Sequence, residues 1–292
     1  MDNILLLGRN GQVGWELCRS LAALGNLTAF DFPDVDFADP ESLRQVVRRA
    51  APRVIVNAVA YTAVDKAESE AELATRINAD AVAVLAEEAK AAGALLVHYS
   101  TDYVFDGTKP VPYVENDVVA PLGVYGRSKA AGEAAVAASG CDGLVFRTSW
   151  VFGIHGGNFV KTVLRLAQER DALKVVADQV GSPTPAALLA DVTALALVAM
   201  RNGRLPLGLY HLAAAEPVSW HGFARAIVDA AARCGKGLRL KAENITAITT
   251  AEYPLPARRP ANSRLDCSRL EAAMGLKLPS WRPYLERMLE FV

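Results

Sequence analysis

The 292-residue chain is 52% hydrophobic, with 31 basic and 32 acidic residues and a formal net charge of -1. That is enough apolar material for one large domain, or for a large and a small one. The balanced charge leaves no basic field to attract a polyanion, so no nucleic-acid partner is expected.

In chain order, Asn3 to Leu7 is a continuous apolar run, expected of a strand covered on both faces. Ile4 to Leu7 is too short for a secretory leader, and a cytoplasmic chain is expected. A glycine loop follows. Val13, Leu17, Leu21 and Leu24 then recur at helical spacing, with Gly25 expected to end that helix. Leu27 to Phe32 is predicted as the second strand. Asp39-Pro40-Glu41 marks a helix start, combining an N-cap acceptor, a proline in the first turn and an acid beside it. Leu43, Val46 and Val47 continue this helix. Arg53 to Val59 is the third strand. Ala71 to Gly93 is one long helix with Ile77, Val84 and Leu85 on its apolar face. Ala94 to Thr101 is the fourth strand, Tyr125 to Ser139 a helix, and Leu144 to Ser149 the fifth strand.

Alternating strands and helices predict an α/β, Rossmann-type doubly wound parallel sheet with helices on both faces. Beyond residue 150, Leu173 to Ala177, the Gly181 to Pro185 turn region and Leu209 to Ala213 are expected as sheet edges and connections. Ala186 to Met200, broken by Asp191, is shorter than a membrane span and reads as a buried helix, so no membrane partner is expected. The expected division is a dinucleotide-binding domain over 1–150, completed by parts of 170–215. A smaller, mainly substrate-binding part over 151–292 is interleaved with it. Cys18, Cys141, Cys234 and Cys267 form no CxxC pair and are expected as reduced, mostly buried thiols. His98, His155, His211 and His221 lack metal-ligand spacing, and no metal is expected.

The loop Gly8-Arg9-Asn10-Gly11-Gln12-Val13-Gly14 lies between the first strand and the first helix. There, glycine permits a tight turn and close approach of a pyrophosphate, while the helix N-terminus offers unpaired N–H groups. The GxxGxxG spacing points to extended short-chain dehydrogenases. Asp31 stands where a carboxylate accepts the ribose 2′-OH of NAD. Arg9 suits a 2′-phosphate instead, so NADH and NADPH both stay open.

Tyr125 and Lys129 stand four apart at a helix start and share a face. An ammonium beside the phenol is expected to lower the tyrosine pKa and make it a general acid near neutral pH. Ser100-Thr101 ends the fourth strand, the end at which open α/β sheets bind ligands. Glycine loop, strand-end hydroxyl and YxxxK therefore occur in a consistent order.

These residues resemble the dTDP-4-dehydrorhamnose reductase family. The resemblance includes Ile4 to Glu16, Val54-Ile55-Val56-Asn57-Ala58, Tyr61 to Glu68, His98-Tyr99-Ser100-Thr101-Asp102-Tyr103-Val104-Phe105-Asp106-Gly107, Arg147 to Val151 and Pro256 to Leu265, and so covers nearly the whole chain. It implies NAD(P)H-dependent reduction of the C4 keto group of dTDP-6-deoxy-L-lyxo-4-hexulose to dTDP-L-rhamnose. Tyr125 is the implied proton donor, Lys129 holds the nicotinamide ribose, and Thr101 completes the triad. The implied cofactor contacts are Gly8, Gly11, Gln12, Val13, Gly14, Asp31, Asp36, Phe37, Ala60, Tyr61, Thr62 and Tyr99, with Tyr125 and Lys129. Substrate contacts carry over to Thr101, Asp102 and Trp150; adjacent Arg258 and Arg259 suit a substrate diphosphate.

The chain departs from the family pattern at two points. Glu16 fits one position of a magnesium-bridged dimer, but Ala186-Ala187 stands where such members carry a glutamate, so a monomer or weak homodimer is expected. Tyr61 stands in place of a histidine. The competing functions are another nucleotide-sugar 4-ketoreductase, an epimerase, or a non-catalytic dinucleotide-binding regulatory subunit. A 4,6-dehydratase is disfavoured, since Asp102-Tyr103 follows Thr101 without the expected glutamate.

Overall fold

The computed structural model describes residues 2–292. Its first half runs β1 (Asp2–Leu7), α1 (Gln12–Leu21), β2 (Gly25–Phe30), α2 (Pro40–Ala50), β3 (Val54–Asn57), α3 (Val64–Ala67), α4 (Ala71–Thr75), α5 (Ala81–Ala92), β4 (Leu95–Thr101), α6 (Val124–Ser139) and β5 (Asp142–Thr148). The second half continues β6 (Val151–Phe152), α7 (Phe159–Glu169), β7 (Leu173–Val176), β8 (Val180–Gly181), β9 (Thr184–Pro185), α8 (Ala186–Arg201) and β10 (Gly208–His211). It ends with β11 (Val218–Ser219), α9 (Trp220–Arg233), β12 (Ile245–Ile248), β13 (Asn262–Ser263), α10 (Ser268–Met274) and α11 (Arg282–Leu289).

The main sheet has the order β10-β5-β4-β3-β1-β2, and every adjacent pair is parallel. Alternation along each strand sends side chains to opposite faces. Ile4, Leu6, Val56, Val97 and Phe146 face a core built with α1, α7, α8 and α9. Leu5, Leu7, Ile55, Leu96 and Val145 face a second core built with α2 and α5. Each fully buried leucine or isoleucine contributes roughly 1.5–3 kcal/mol, so covering both faces accounts for the uninterrupted apolar strands. The expected doubly wound parallel sheet is present, and β10 closes its edge against β5.

Three local readings are corrected. Gly25 does not cap a helix: α1 stops at Leu21, and Gly25 opens β2. A Cβ at Gly25 would sit 2.2 Å from the Asp2 carbonyl oxygen, so the position is set by strand-to-strand approach. The helix expected over 71–93 is broken by a π turn at Arg76–Asp80. Asn78 in that turn is buried; its Oδ1 accepts from Tyr61 N–H at 2.9 Å, and its Nδ2 donates to the Tyr61 carbonyl and to Ser128 Oγ, each at 3.0 Å. These bonds pull the turn inward, a long-range effect invisible to helical periodicity. The four cysteines are free as expected but not buried, since Cys234 is exposed and the others are partly open.

His211, fully buried on β10, donates from Nδ1 to the Tyr113 carbonyl at 3.0 Å. Burial, followed by the nearby Arg147 charge, pushes its pKa down from 6.5 to about 3. A depressed folded value means the associated stability is present above the unfolded value and lost as pH falls towards the folded one. Stability is therefore expected to fall between those two values, by up to about 1.4 kcal/mol per pH unit from this group. Urea unfolding of His211→Gln at a series of pH values checks this: the variant should lose that part of the slope, and an unchanged slope contradicts the assignment.

Candidate active site

The glycine loop leaves the C-terminal end of β1 and turns into α1. Gly8 has φ +91°, and a Cβ on it would meet the Ala58 carbonyl carbon at 2.9 Å. A Cβ on Gly14 would fall 1.8 Å from the Gly8 carbonyl oxygen. Gly11 caps α1 without any side-chain acceptor, so the first-turn N–H groups are left for an anion. This open, Cβ-free cradle fits a dinucleotide pyrophosphate. Val13 packs against the main core and anchors the helix start. Gln12 Oε1 accepts from Asn158 Nδ2 at 3.0 Å, and His155 contacts the Asn10 carbonyl at 2.9 Å while stacking on Trp15. Gly14→Ala is expected to push the loop off α1 and weaken NADPH binding at least roughly tenfold, about 1.4 kcal/mol. Fluorescence titration with NADPH checks this; undiminished affinity rules it out.

Asp31 lies just beyond β2, and its two oxygens accept from the N–H groups of Asn10 and Phe32, both at 2.7 Å. Arg9 is already engaged: it donates to Asp34 at 2.8 Å and to the Ala29 carbonyl at 2.8 Å. Ala60 and Tyr61 are partly open and Thr62 is exposed. The Tyr61 hydroxyl donates to Glu70 at 2.5 Å, and that bond pushes its pKa up to about 12. Asp36 is exposed, its carboxylate accepting from Ala38 N–H at 2.8 Å.

Two expected cofactor contacts are corrected at the side-chain level. The Phe37 ring is packed into the second core. The Tyr99 ring lies in the main core, where its hydroxyl shares a 2.7 Å hydrogen bond with Thr193 on α8. Strand alternation sends Tyr99 to the α8 side.

β4 ends at Thr101, which donates to Asp102 Oδ1 at 3.0 Å and accepts from Tyr103 N–H at 3.2 Å. A Cβ on Gly126 would lie 2.2 Å from the Tyr103 carbonyl oxygen, so α6 seats directly on the turn after β4. That seating brings Tyr125 to Thr101. Burial pushes the Tyr125 phenol up to about 12, with the nearby Thr101 hydroxyl opposing. The Tyr103 ring meets it edge-on at 5.5 Å between centroids. Asp102 is buried, and burial raises its carboxyl to about 6.

The expected lowering of the Tyr125 pKa by Lys129 is corrected. The Lys129 side chain is fully enclosed, and its Nζ faces His98 Nε2 at 3.2 Å. Burial lowers Lys129 to about 8, with Glu133 opposing. The four-residue spacing thus brings no Lys129 charge to bear on the phenol; the nitrogen faces His98 instead.

A cavity of about 640 Å³ has walls that include Phe159, Trp220, Lys174, Gln179, Tyr253 and Arg258, and Thr101, Tyr125 and Lys129 are not among its lining. Trp150 does not line it but stacks on Trp220, centroids 3.5 Å apart, with a left-handed φ of +48°. Such a strained non-glycine residue persists only where its surroundings hold it; here Gly181 backs the indole. The paired reading of Arg258 and Arg259 is corrected. Both border the cavity, but Arg259 is clamped by Asp65 at 3.1 and 2.7 Å, which leaves Arg258 as the exposed member. Glu16 is buried against Arg19, which also reaches Asp191 at 2.7 Å.

The sequence reading missed His98, Asn57, Asn78, Asp65, Trp220 and the aromatic and basic cavity lining. His98 carried a usable signal, lying three residues before Thr101 on the same strand. Of the cavity lining, Arg258 and Arg259 carried a signal as adjacent arginines, whereas the aromatic residues come from segments far apart in sequence and carried none.

The chain is similar to known proteins along its whole length. A family model described as the RmlD substrate binding domain matches residues 1–292. The chain is 52% identical over 283 residues to the dTDP-4-dehydrorhamnose reductase of Burkholderia thailandensis, covering 96% of this chain and 95% of that protein. It is 49% identical to the enzyme of the same name from Escherichia coli K12, covering 98% and 97% of the two chains. A crystal structure of dTDP-4-dehydrorhamnose reductase from Bacillus anthracis in complex with NADP superimposes with a TM-score of 0.89 at 35% identity, covering 100% of this chain and 99% of the other.

Proposed function

Because the chain belongs to the dTDP-4-dehydrorhamnose reductase family, we propose that its chemistry is carried by Thr101, Tyr125 and Lys129 at the end of β4. The chain is an NADPH- or NADH-dependent oxidoreductase that reduces the C4 keto group of dTDP-6-deoxy-L-lyxo-4-hexulose to give dTDP-L-rhamnose. Its product belongs to the supply of deoxysugar for lipopolysaccharide and O-antigen. The observation that carries the assignment of roles is the seating of α6 on the turn after β4, with Gly126 against the Tyr103 carbonyl and the Tyr125 and Tyr103 rings edge-on at 5.5 Å, at the ligand-binding end of the sheet.

When bound, the reduced nicotinamide supplies a hydride to C4. Gly8, Gly11, Gln12, Val13 and Gly14 would hold its pyrophosphate, Asp31 and Asp36 its adenosine end, and Ala60, Tyr61, Thr62 and Tyr99 would border the rest. With its pKa near 12, the Tyr125 phenol holds its proton at neutral pH, so it is charged to act as the acid in the reductive direction. It gives that proton to the C4 oxygen, and the Thr101 hydroxyl, turning its single proton away from Asp102, would donate to the same oxygen and orient it. Lys129 donates to the ribose. Asp102 borders the sugar and Arg258 meets the diphosphate. Arg259 and Trp150 support this wall from behind.

On this reading residues 1–150, with parts of 170–215, form the dinucleotide-binding domain, and most of 151–292 serves the substrate. The chain works in the cytoplasm as a monomer or weak homodimer. Among the described residues no helix is long and apolar enough to cross a membrane.

The test is consumption of NADPH or NADH by the purified chain supplied with the 4-keto sugar, with the product identified by mass and by NMR. dTDP-L-rhamnose is expected. Tight dinucleotide binding without turnover would move the chain to another keto-sugar or to a regulatory role.

A further inference from the structure

β4 alternates, so His98 points with Leu96 away from Tyr99 and towards α6. Its ring is fully buried between two polar partners. Nδ1 lies 3.2 Å from Asn57 Nδ2, and Nε2 lies 3.2 Å from Lys129 Nζ. We propose that His98, oriented by Asn57, is a positioning residue for Lys129, favouring its neutral amine over the ammonium in the dinucleotide-free protein. This rests on the roles proposed above for Tyr125 and Lys129.

The argument is one of hydrogen-bond polarity. Asn57 Oδ1 accepts from the Val59 N–H at 3.1 Å. That fixes the amide, so Nδ2 is the group presented to His98, and Nδ2 can only donate. His98 Nδ1 must then carry the lone pair. A neutral imidazole has one proton, which this arrangement places on Nε2, pointing at Lys129. Two donors cannot share that contact. Lys129 meets it as an amine, with its own lone pair accepting from Nε2–H.

An ammonium at Lys129 needs the opposite: the proton moved to Nδ1 and the Asn57 bond lost. Charge on Lys129 is thereby tied to the state of a buried pair on β3 and β4. Burial, then the nearness of Lys129, holds His98 well below its usual value, so the ring does not take the charge itself.

The other groups around Lys129 do not override this. Glu133, one turn along α6, is bound twice by Arg147 from β5, at 2.8 and 2.6 Å. Tyr125, one turn back on α6, is a neutral phenol beside Thr101. Asn78 from the π turn is spent on Tyr61 and Ser128. The histidine is thus the polar group directly against the amine. A dinucleotide whose ribose hydroxyls approach Nζ changes that partner set, so Lys129 is expected to gain its proton as the cofactor binds. The charge then arrives only when there is a phenol and a ribose for it to act on.

Nitrogen-15 NMR of the full-length, histidine-labelled chain tests this without substrate. The four histidines are separated by assigning His98 with His98→Gln. In wild type the expected His98 signal is that of a neutral ring protonated at Nε2, and adding NADPH should shift it. A ring protonated at Nδ1, a charged ring, or no response to bound NADPH overturns the proposal. Asn57→Asp supplies a second, independent reading. The new carboxylate accepts from Nδ1, frees Nε2 as an acceptor and favours the ammonium. The limb of the pH–kcat profile set by Lys129 should then move upwards by about one unit, a tenfold change in proton concentration. A folded Asn57→Asp whose profile superimposes on that of wild type leaves His98 only a space-filling role. If the keto-sugar is not the substrate, the NMR result still stands or falls alone.

Discussion

Tyr125→Phe is expected to lower keto-sugar turnover by about 10²–10⁴-fold while NADPH affinity stays near the wild-type value. The range is that of a positioned general acid removed from the transition state. Phenylalanine keeps the ring that packs edge-on against Tyr103, so the fold around the end of β4 should persist. Only the phenol hydroxyl and its proton are lost. Rapid-mixing measurement of cofactor oxidation, with separate NADPH titration, distinguishes the two. A variant retaining more than about a tenth of wild-type turnover would falsify Tyr125 as the donor. Loss of cofactor binding along with turnover would point to a structural role instead.

The largest expected effect on stability lies two turns further along α6, at Glu133. Arg147 and Glu133 form a two-pronged pair with side-chain exposures of only 4% and 9%. The guanidinium also donates to the Glu115 carbonyl at 3.3 Å and lies over the Phe105 ring. Glu133→Ala strands this cation between α6 and β5. Breaking such a buried pair typically costs about 3–5 kcal/mol. Replacing both members, as in Glu133→Leu with Arg147→Met, leaves no orphaned charge and should cost far less. Urea unfolding of the single and double variants gives the comparison. A single variant within about 1 kcal/mol of wild type would mean the pair behaves as an exposed one.

Much of the architecture was legible because it depends on local periodicity. Runs such as Ile4 to Leu7 could only be strands covered on both faces, and Asp39-Pro40-Glu41 located a helix start that the structure caps through Asp39. Order and spacing also put Thr101, Tyr125 and Lys129 forward as the candidate trio. The misses share one physical origin: competition from partners distant in sequence. Lys129 was assigned to Tyr125, its neighbour on the helix, yet a histidine from β4 takes its amine. Arg259 was paired with Arg258, yet Asp65 from the other half of the chain claims it. Tyr99 read as a cofactor contact, yet strand alternation delivers it to Thr193. The π turn follows the same rule, since Asn78 answers to Tyr61 and Ser128 rather than to its own helix.

The placement of β10 bears on how the protein is made. A ribosome releases β5 about 60 residues before β10, from Thr148 to Gly208. At about 5–20 residues per second, the outer edge of β5 waits roughly 3–12 s for its partner. Helix α8, which covers α1 and the apolar face of the early strands, emerges within the same interval. During it the nascent chain presents an unpaired parallel edge and a bare hydrophobic surface, the two features that invite association between incomplete chains. Nascent chains arrested before residue 208 should therefore be the ones that recruit a chaperone, with release following the synthesis of β10.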